Sequence, residues 1–293
     1  MVLLQLLEQS PALLATMALV LGLLVGSFLN VVILRLPQML LRDWRIQARD
    51  VLELAPEPSD TTPFNLLRPA SHCPACGHRI RPWENVPVLS WLLLRGRCSA
   101  CSATISPRYP LVELATGLFT AAVAWQIGWG MELLPALVLT WTLIALAGID
   151  IDHQLLPDSI TLPTLWLGLL LSLVPVYTDP AGAILGAVAG YLSLWLVYHA
   201  FRLLTGKEGM GYGDFKLLAL LGAWLGWSAL PMIILLSALV GAVTGIAMIL
   251  LLGRDRQLPI PFGPYLAGAG WLALLWGDEL TGLYLRWSGL ASV

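Results

Sequence analysis

The sequence predicts an all-α polytopic membrane protein of about eight transmembrane helices, with a small cysteine-containing domain inserted after the first helix. Of the 293 residues, 58% are hydrophobic and 12% are charged, whereas about 25% of residues are charged in a typical soluble domain. The mean hydropathy is +0.79. The 27 glycines and 13 tryptophans suit close helix packing and the interfaces of a bilayer. These values exclude an ordinary soluble protein.

Eight apolar runs are candidates for crossing the membrane, which takes about 20 helical residues. The first, 12–34, carries no charge. It lacks a preceding basic segment and is too long for a signal peptide, so we expect it to be retained. The remaining runs are 111–127, 133–149, 160–176, 181–200, 217–230, 232–252 and 262–276. The sixth run (217–230) and the eighth (262–276) are short, so to cross they would have to include flanking residues or tilt, or the bilayer would have to thin locally.

Basic residues are spread unevenly over the connections between these runs. If the N-terminus lies outside, 15 of the 16 Lys and Arg residues fall on the cytoplasmic side, ten of them in the connection 35–110, and only Arg286 falls on the other side. Positive charge collects in cytoplasmic loops. The bias therefore predicts an even number of spans, an N-terminus outside and a long loop in the cytoplasm.

The chain is expected to have four parts. The stretch 38–68 of the long loop has no clear hydrophobic period, so it would be either an amphipathic interfacial segment or loosely ordered. The predicted parts are a first transmembrane helix (1–34), a cytoplasmic loop (35–110) with a four-cysteine module at about 70–105, a membrane-embedded core (111–277) and a C-terminal tail (278–293).

All four cysteines lie in the long loop, as the pairs Cys73-Pro-Ala-Cys76 and Cys98-Ser-Ala-Cys101, with 21 residues between them. Two such turns can each offer two thiolates to a tetrahedral zinc ion. The alternatives are two disulfides or four unrelated thiols, but disulfides do not persist in the cytoplasm. We expect structural Zn²⁺, because four thiolates leave no open position for a substrate water. The ion would fold a loop too small to bury its own core.

Two acidic segments lie at what this topology makes the cytoplasmic edge of the membrane. Asp150 ends the third run, and Asp214 precedes the sixth, 64 positions later. Ionisable groups at such depth are functional candidates. Glycines at 209, 211 and 213 would permit positive φ and the close approach of another segment. Helix dipoles would favour the ionised form of Asp214 and disfavour that of Asp150. Two carboxylates so arranged can share one proton, as base and acid of an aspartic peptidase.

Other interpretations of these acids stay open from the residues alone. Asp158 could cap the helix that follows it, and the acids could set topology or form the ion path of a transporter. A transporter is disfavoured because no carboxylate lies in the middle of a span, and a scaffold that recruits a partner would leave the glycine-rich Asp214 segment unexplained. Gly241-Ala-Val-Thr-Gly245 is expected to pack helices.

Taken together, the motifs resemble those of bifunctional prepilin peptidases, also called type IV leader peptidases, which are inner-membrane aspartic proteases of the GxGD type. The similarity extends from about residue 20 to 265, with the motifs in the family's order. The matching segments are Gly26-Ser-Phe-Leu-Asn30, the two cysteine pairs, Glu84–Trp91, Ile105–Glu113, Asp150–Asp158 and Gly209–Asp214.

The resemblance implies a reaction in two steps. Family members cleave the short basic leader from prepilins and pseudopilins after a glycine on the cytoplasmic side. They then N-methylate the new N-terminal residue, usually phenylalanine, with S-adenosylmethionine. The catalytic aspartates correspond to Asp150 and Asp214. Asp152 is the second choice, since on a helix it would point away from Asp150. The supporting residues are close neighbours in sequence: Gly211, Gly213, Asp152 and Asp158.

The methyl-transfer site is harder to locate. No glycine-rich loop of the soluble α/β methyltransferase kind occurs in the sequence, so we expect a pocket between the zinc loop and the membrane. Alternatively, Arg108 is a topology charge paired with Glu113, or the protein is a peptidase that lacks methylation. Polar members of the matching segments could line the pocket: Glu84, Asn85, Arg108 and Glu113.

The physical setting agrees with the implied reaction. A prepilin is a membrane-anchored helix with a basic leader on the cytoplasmic side, so its scissile bond would lie at the depth expected for the two aspartates. Acidic residues nearby, Asp152, Asp158 and Glu208, could attract the leader. The expected partners are prepilins or pseudopilins and the lipid bilayer, and no nucleic acid.

Overall fold

The computed structural model describes residues 7–55, 63–252 and 260–287. Over these ranges the regular secondary structure is helical and no strand is present, which confirms the predicted all-α fold. Short 3₁₀ turns lie at Pro82–Asn85 and Trp227–Ala229. The helices are α1 (Pro11–Val51), α2 (Leu89–Leu93), α3 (Arg108–Ile127), α4 (Leu133–His153), α5 (Asp158–Leu171), α6 (Pro180–Thr205), α7 (Tyr212–Leu225), α8 (Leu230–Leu252) and α9 (Gly263–Trp287).

Each predicted apolar run corresponds to one of the eight longer helices. Five of the described helical segments are long and apolar enough to cross a membrane: α1, α3, α4, α6 and Trp227–Leu251, which includes all of α8 but its last residue. Helices α5 and α7 have 14 residues each, or about 21 Å of helix against about 30 Å of hydrocarbon. The protein is therefore a polytopic membrane protein, and the count of eight spans stays a prediction.

Helix α1 continues past the predicted end of the first span at residue 34 and reaches Val51. Its 41 residues measure about 62 Å, roughly twice the hydrocarbon thickness of a bilayer. Pro37 lies inside the helix without ending it, and the residues that follow are largely good helix formers such as Gln, Met, Leu and Arg. Of the two alternatives predicted for the stretch 38–68, loose order is therefore wrong for residues 38–51, which are helical. Residues 56–62 of the same stretch lie outside the described part.

The chain divides into two compact units, Met1–Trp129 and Gly130–Val293. In the first unit α1 packs against α3. Glycines permit this contact, because a methyl group added at Gly22 would lie 2.5 Å from Thr120 Oγ1 and one added at Gly26 would lie 2.8 Å from Glu113 Cα. Helix α3 thus packs with α1 in the first unit, whereas the sequence analysis grouped its residues with the membrane core.

In the second unit, α6 and α7 pack with their backbones in direct contact. A methyl group added at Gly186 would collide with the carbonyl of Gly222, and one at Gly190 would lie 2.6 Å from the carbonyl oxygen of Leu218. Small residues four positions apart allow such close packing of membrane helices. Trp224 of α7 is buried and donates its indole N–H to the carbonyl of Thr164 in α5, at 2.8 Å. Helix α7 is therefore enclosed by its neighbours, which fixes the position of its first turn.

Helix α8 packs against the start of α9. A methyl group added at Gly241 would lie 3.2 Å from the ring of Tyr265, and one at Gly245 would lie 3.3 Å from Ile260. This confirms the packing role expected for the segment Gly241–Gly245.

Candidate active site and metal centre

Asp150 lies in the last turn of α4 and is buried, with 5% of its surface exposed. The helix ends at His153, and the next residue, Gln154, is left-handed with φ 53° and donates its N–H to the Asp150 carbonyl at 2.9 Å. The Asp150 side chain turns inward, where Oδ2 accepts a hydrogen bond from the backbone N–H of Gly263 at 3.0 Å. The carboxylate is thus held by the first residue of α9.

Asp214 is the third residue of α7 and is 6% exposed. The helix is capped by Gly211, which is extended with φ −84° and ψ 153°, and the backbone N–H of Gly211 faces the Asp214 carboxylate. A helix N-terminus stabilises negative charge in this position. Tyr212 packs 5.3 Å from the ring of Phe215 and 5.5 Å from that of Tyr198 in α6. These rings hold the first turn of α7 in place.

The carboxylates of Asp150 and Asp214 are close enough to interact electrostatically, although 64 positions separate them in sequence. The end of α4 and the starts of α7 and α9 therefore meet at one end of the second unit. The sequence predicted opposed dipole environments for the two acids. The structure differs, because the N-terminus of α9 faces Asp150 and offsets the unfavourable C-terminal end of α4.

The glycines before Asp214 provide space. None of Gly209, Gly211 and Gly213 has a positive φ, in contrast to the left-handed turn that the sequence suggested. A methyl group added at Gly213 would lie 2.8 Å from Cβ of Leu156, and one at Gly209 would lie 2.9 Å from the ring of Phe201. The close approach of other segments is what requires glycine at 209 and 213.

Asp152 and Asp158 do not share the buried position of the pair, since both are exposed. Asp158 is the first residue of α5, and its two oxygens lie 2.6 and 2.8 Å from Nζ of Lys216. This ion pair links the first residue of α5 to the fifth residue of α7. Glu208 lies 3.9 Å from Arg202. Asp158 and Glu208, which were expected to attract a basic leader, thus already have a cationic partner.

The four cysteines form one cluster, with all their Sγ atoms within 4.8 Å of one another. Two thiol contacts join the turns, at 3.8 Å between Cys73 and Cys101 and 4.0 Å between Cys76 and Cys98. All four are free, and these separations are far longer than the roughly 2.05 Å of a disulfide. Four thiolates about 2.3 Å from a tetrahedral zinc ion lie about 3.8 Å apart. The cluster therefore has the size of such a site.

The two cysteine turns are built alike. In each, the N–H of the first cysteine, Cys73 or Cys98, donates to the carbonyl five residues further on, at 2.9 and 2.8 Å respectively. Each turn also has one left-handed residue, Gly77 with φ 72° in the first and Ser102 with φ 59° in the second. Its N–H returns to the carbonyl of the first cysteine at 2.9 and 3.0 Å respectively.

Backbone N–H groups in each turn also point at sulfur. The N–H groups three and two residues after Cys73 lower the pKa of its thiol to about 7. The corresponding groups after Cys98 lower the pKa of that thiol as well. A lower pKa favours the thiolate, which is the form that binds a metal.

Glu84 connects the two cysteine turns. Its Oε1 accepts from the hydroxyl of Ser99 at 2.6 Å, and its Oε2 accepts from the backbone N–H of Arg81 at 2.8 Å and lies 3.2 Å from Nε2 of His78. The hydrogen bond from Ser99, followed by that from Arg81, lowers the pKa of Glu84 to about 2. The carboxylate therefore holds His78, which follows the first pair, to Ser99 in the second.

Glu113 is buried in α3, with 8% of its surface exposed, and its Oε2 accepts from the N–H of Val88 at 2.8 Å. Ser27 of α1 interacts with the same carboxylate. Val88 has φ 60° and ψ −48°, and the N–H of Leu89 reaches the carbonyl of Pro87 at 2.6 Å. This is a γ-turn that strains a β-branched residue. The Glu113 carboxylate thus fixes a strained turn between the cysteine pairs.

An open cleft of about 550 Å³ lies beside the first cysteine pair. Its polar lining includes Arg79, Arg81 and Asn85. Arg108 is half-buried at the start of α3. Of the four residues expected to line a methyl-donor pocket, Asn85 is the one that lines this cleft.

Gly263 was missed by the sequence analysis, which treated it as part of the last apolar run. The available signal was Gly263-Pro264 directly after Phe262, because proline is favoured in the first turn of a helix. That signal locates the start of α9. It could not reveal a hydrogen-bond partner 113 positions earlier in the chain.

Two family models match the chain. One, described as the Bacterial Peptidase A24 N-terminal domain, matches residues 20–127, and the other, described as the Type IV leader peptidase family, matches residues 137–246. The cysteine cluster falls within the first match, and Asp150 and Asp214 fall within the second.

Curated relatives that bear the name prepilin leader peptidase/N-methyltransferase cover nearly the whole chain. The protein of Stutzerimonas stutzeri is 58% identical over 97% of this chain and 98% of its own. That of Pseudomonas aeruginosa is 56% identical over 99% of both chains. That of Neisseria gonorrhoeae is 51% identical over 90% of this chain and 91% of its own. No solved structure gives a significant match.

Proposed function

The chain belongs to the type IV leader peptidase family, and from this premise we propose that it removes the basic leader of prepilins or pseudopilins with the pair Asp150 and Asp214 and then N-methylates the new N-terminus. Relatives that span the whole chain are named for both activities. The observation that carries the peptidase half is the meeting of two buried carboxylates from distant parts of the sequence. Family membership argues against the transporter and scaffold interpretations.

The proposed cleavage uses the two carboxylates as base and acid. Asp150 and Asp214 share one proton, because two neighbouring carboxylates do not readily both ionise. The ionised group takes a proton from water, and the water oxygen adds to the carbonyl carbon of the scissile bond. The protonated group gives its proton to the leaving nitrogen as that bond breaks. The leader and a free α-amine are the products.

We propose that the active end of the second unit faces the cytoplasm from the bacterial inner membrane. The distribution of 15 of the 16 basic residues supports an N-terminus outside. A prepilin leader on the cytoplasmic side would then reach the aspartates without crossing the bilayer.

We assign Zn²⁺ to Cys73, Cys76, Cys98 and Cys101. The thiol separations and the backbone N–H groups directed at sulfur suit this ion. Bound zinc would supply folding energy to the loop and no open coordination position for chemistry.

The proposed methyl donor is S-adenosylmethionine, which supplies an electrophilic methyl group for the free amine. The cleft beside the first cysteine pair has a volume typical of small-molecule sites. Arg79 and Arg81 would pair with the donor's carboxylate, and Asn85 would hydrogen-bond to it.

The peptidase proposal is tested with the full-length protein in detergent and a purified prepilin. Asp150→Asn and Asp214→Asn should each lower the rate of leader removal by about 1,000-fold or more, since each removes an acid–base group. Asp278→Asn is the matched control, because this exposed aspartate lies on α9, 15 residues beyond Gly263. Leader removal at the wild-type rate in either dyad variant would eliminate the proposed pair.

Methylation is tested on the cleaved product. Mass spectrometry of the mature pilin should detect one added methyl group on the N-terminal residue when S-adenosylmethionine is present, and none when it is omitted. An unmodified N-terminus in both samples would identify a peptidase without methyltransferase activity.

A further inference from the structure

The start of α9 makes a specific contact with the proposed dyad. Gly263 is buried, and its backbone N–H donates to Oδ2 of Asp150 at 3.0 Å. The family match to the peptidase domain ends at residue 246, so this contact comes from a part of the chain beyond that match.

Position 263 requires glycine because there is no room for a side chain. A methyl group added at Gly263 would lie 2.6 Å from Oδ2 of Asp150, 3.1 Å from its Cγ and 3.3 Å from Cδ2 of Leu156. Gly263 has no positive φ, so backbone conformation does not demand a glycine. In contrast, nothing lies within 4 Å of a methyl group added at Gly268 on the same helix.

Leu156 contacts two of the segments that form the site. Its side chain lies against Gly263, and its Cβ would be 2.8 Å from a methyl group added at Gly213. The segments that carry Asp214 and Gly263 therefore both pack against Leu156, and Gly263 in turn contacts Asp150, so a shift at Gly263 would be felt at the Asp150 carboxylate and at the first turn of α7.

We propose that Gly263 is a positioning residue of the peptidase. Its backbone N–H orients the Asp150 carboxylate, and its lack of a side chain leaves the space that this carboxylate occupies. The assignment rests on the proposed function of the aspartate pair. With Oδ2 occupied by the N–H of Gly263, the carboxylate keeps one rotamer and presents its other oxygen to the shared proton. The N-terminus of α9 also offsets the repulsive end of α4.

Gly263→Ala tests this proposal, with Gly268→Ala as the matched control. We expect Gly263→Ala to lower kcat for leader removal by about 100-fold, the effect of misplacing a reacting group by about 1 Å, while KM for the prepilin stays within about twofold. Methylation of a previously cleaved pilin should be unchanged, because the proposed methyl-transfer residues lie in the first unit. Gly268→Ala should match the wild type in all three measurements. A kcat for Gly263→Ala within twofold of wild type would overturn the proposal.

A second measurement, which does not depend on activity, distinguishes the proposed contact from a general folding defect. It compares the melting temperatures of single and double variants. If the added methyl group meets the Asp150 carboxylate, then Asp150→Ala should restore the melting temperature lost in Gly263→Ala, and it should have no such effect in the Gly268→Ala background. Absence of restoration would reject the contact. Asp150→Asn in the same cleavage assay distinguishes failure of the proposed dyad from failure of the role proposed for Gly263. An active Asp150→Asn protein would refute the dyad itself, whatever the result for Gly263→Ala.

Discussion

The two units of this protein build their polar sites in opposite ways. In the first unit the cysteines come from two short turns, each closed by backbone hydrogen bonds over at most five positions, and Cys76 and Cys101 are exposed. In the second unit the acids come from separate helix ends, and the hydrogen bond that holds Asp150 spans 113 positions. Both of those acids are buried.

The difference reflects what each site requires. A metal ion contributes its own binding energy and gathers its ligands, so short turns with matching geometry are sufficient. An aspartate pair has no such centre, and its carboxylates take their positions from the packing of the helices that carry them. The first site should therefore be sensitive to the loss of one ligand, and the second to small changes in helix packing.

The largest expected effect is the loss of a cysteine. Cys73→Ser should reduce bound zinc from about one ion per protein to nearly none, because structural zinc sites use all four ligands. The loop should then unfold and become sensitive to protease, since zinc binding and folding are coupled in such modules. Metal analysis and limited proteolysis of the purified protein measure both effects.

The control for that change is Ala100→Ser, which introduces the same side chain into the second cysteine turn without removing a thiolate. It should keep its zinc and its protease resistance. A Cys73→Ser protein that keeps its fold, cleavage and methylation would refute the zinc assignment. Leader removal by the same sample measures how far the second unit depends on the first.

A methyl group in the α6–α7 contact tests the other half of the comparison. Gly186→Ala would press against the carbonyl of Gly222, and overpacking of this kind costs about 1–3 kcal/mol. Thermal melting should detect that loss, and leader removal should slow because α7 carries Asp214. Zinc content should not change. Equal melting temperatures for Gly186→Ala and Gly268→Ala would contradict the importance of this packing.

The same contrast explains how much could be predicted from the sequence. The spacing of Cys73, Cys76, Cys98 and Cys101 was sufficient to predict one cluster, because the turns that form it are local. Apolar runs located the eight longer helices, since hydrophobic length is a property of each segment by itself. The continuation of α1 to Val51 was not predicted, because no clear hydrophobic period marks its exposed part.

Contacts between distant segments were predictable only in part. Chain direction implied that Asp150 and Asp214 lie at the same end, but the partner of Asp150 at Gly263 depends on how α9 packs beside α4. Glu84 was assigned to a methyl-donor pocket because its motif matched, whereas its carboxylate joins the two cysteine turns through Ser99 and His78. Sequence motifs located these residues without identifying their contacts.

The smallest expected effect concerns Glu84. Its pKa of about 2 lies below the ordinary 4.5, so its contribution to the stability of the cysteine module is complete above pH 4.5 and is lost as the pH falls towards 2. Glu84→Gln should speed the loss of zinc to a chelator by up to about tenfold at pH 6, the ratio expected for one hydrogen bond to a charged group. Asp43→Asn, an exposed change on α1, should leave the rate unaltered.

Acid itself releases zinc by protonating thiolates, so the informative quantity is the ratio of the Glu84→Gln rate to the wild-type rate. This ratio should be largest near pH 6 and should fall towards one only as the pH approaches 2, because the Glu84 carboxylate of the folded module is protonated near that pH and the wild type then loses the same charge as the variant. A ratio that stays constant over this range would show that the ionised carboxylate does not hold the two turns together. The first unit would then rely on the metal and its local turns alone, which would make the contrast with the packed second unit still sharper.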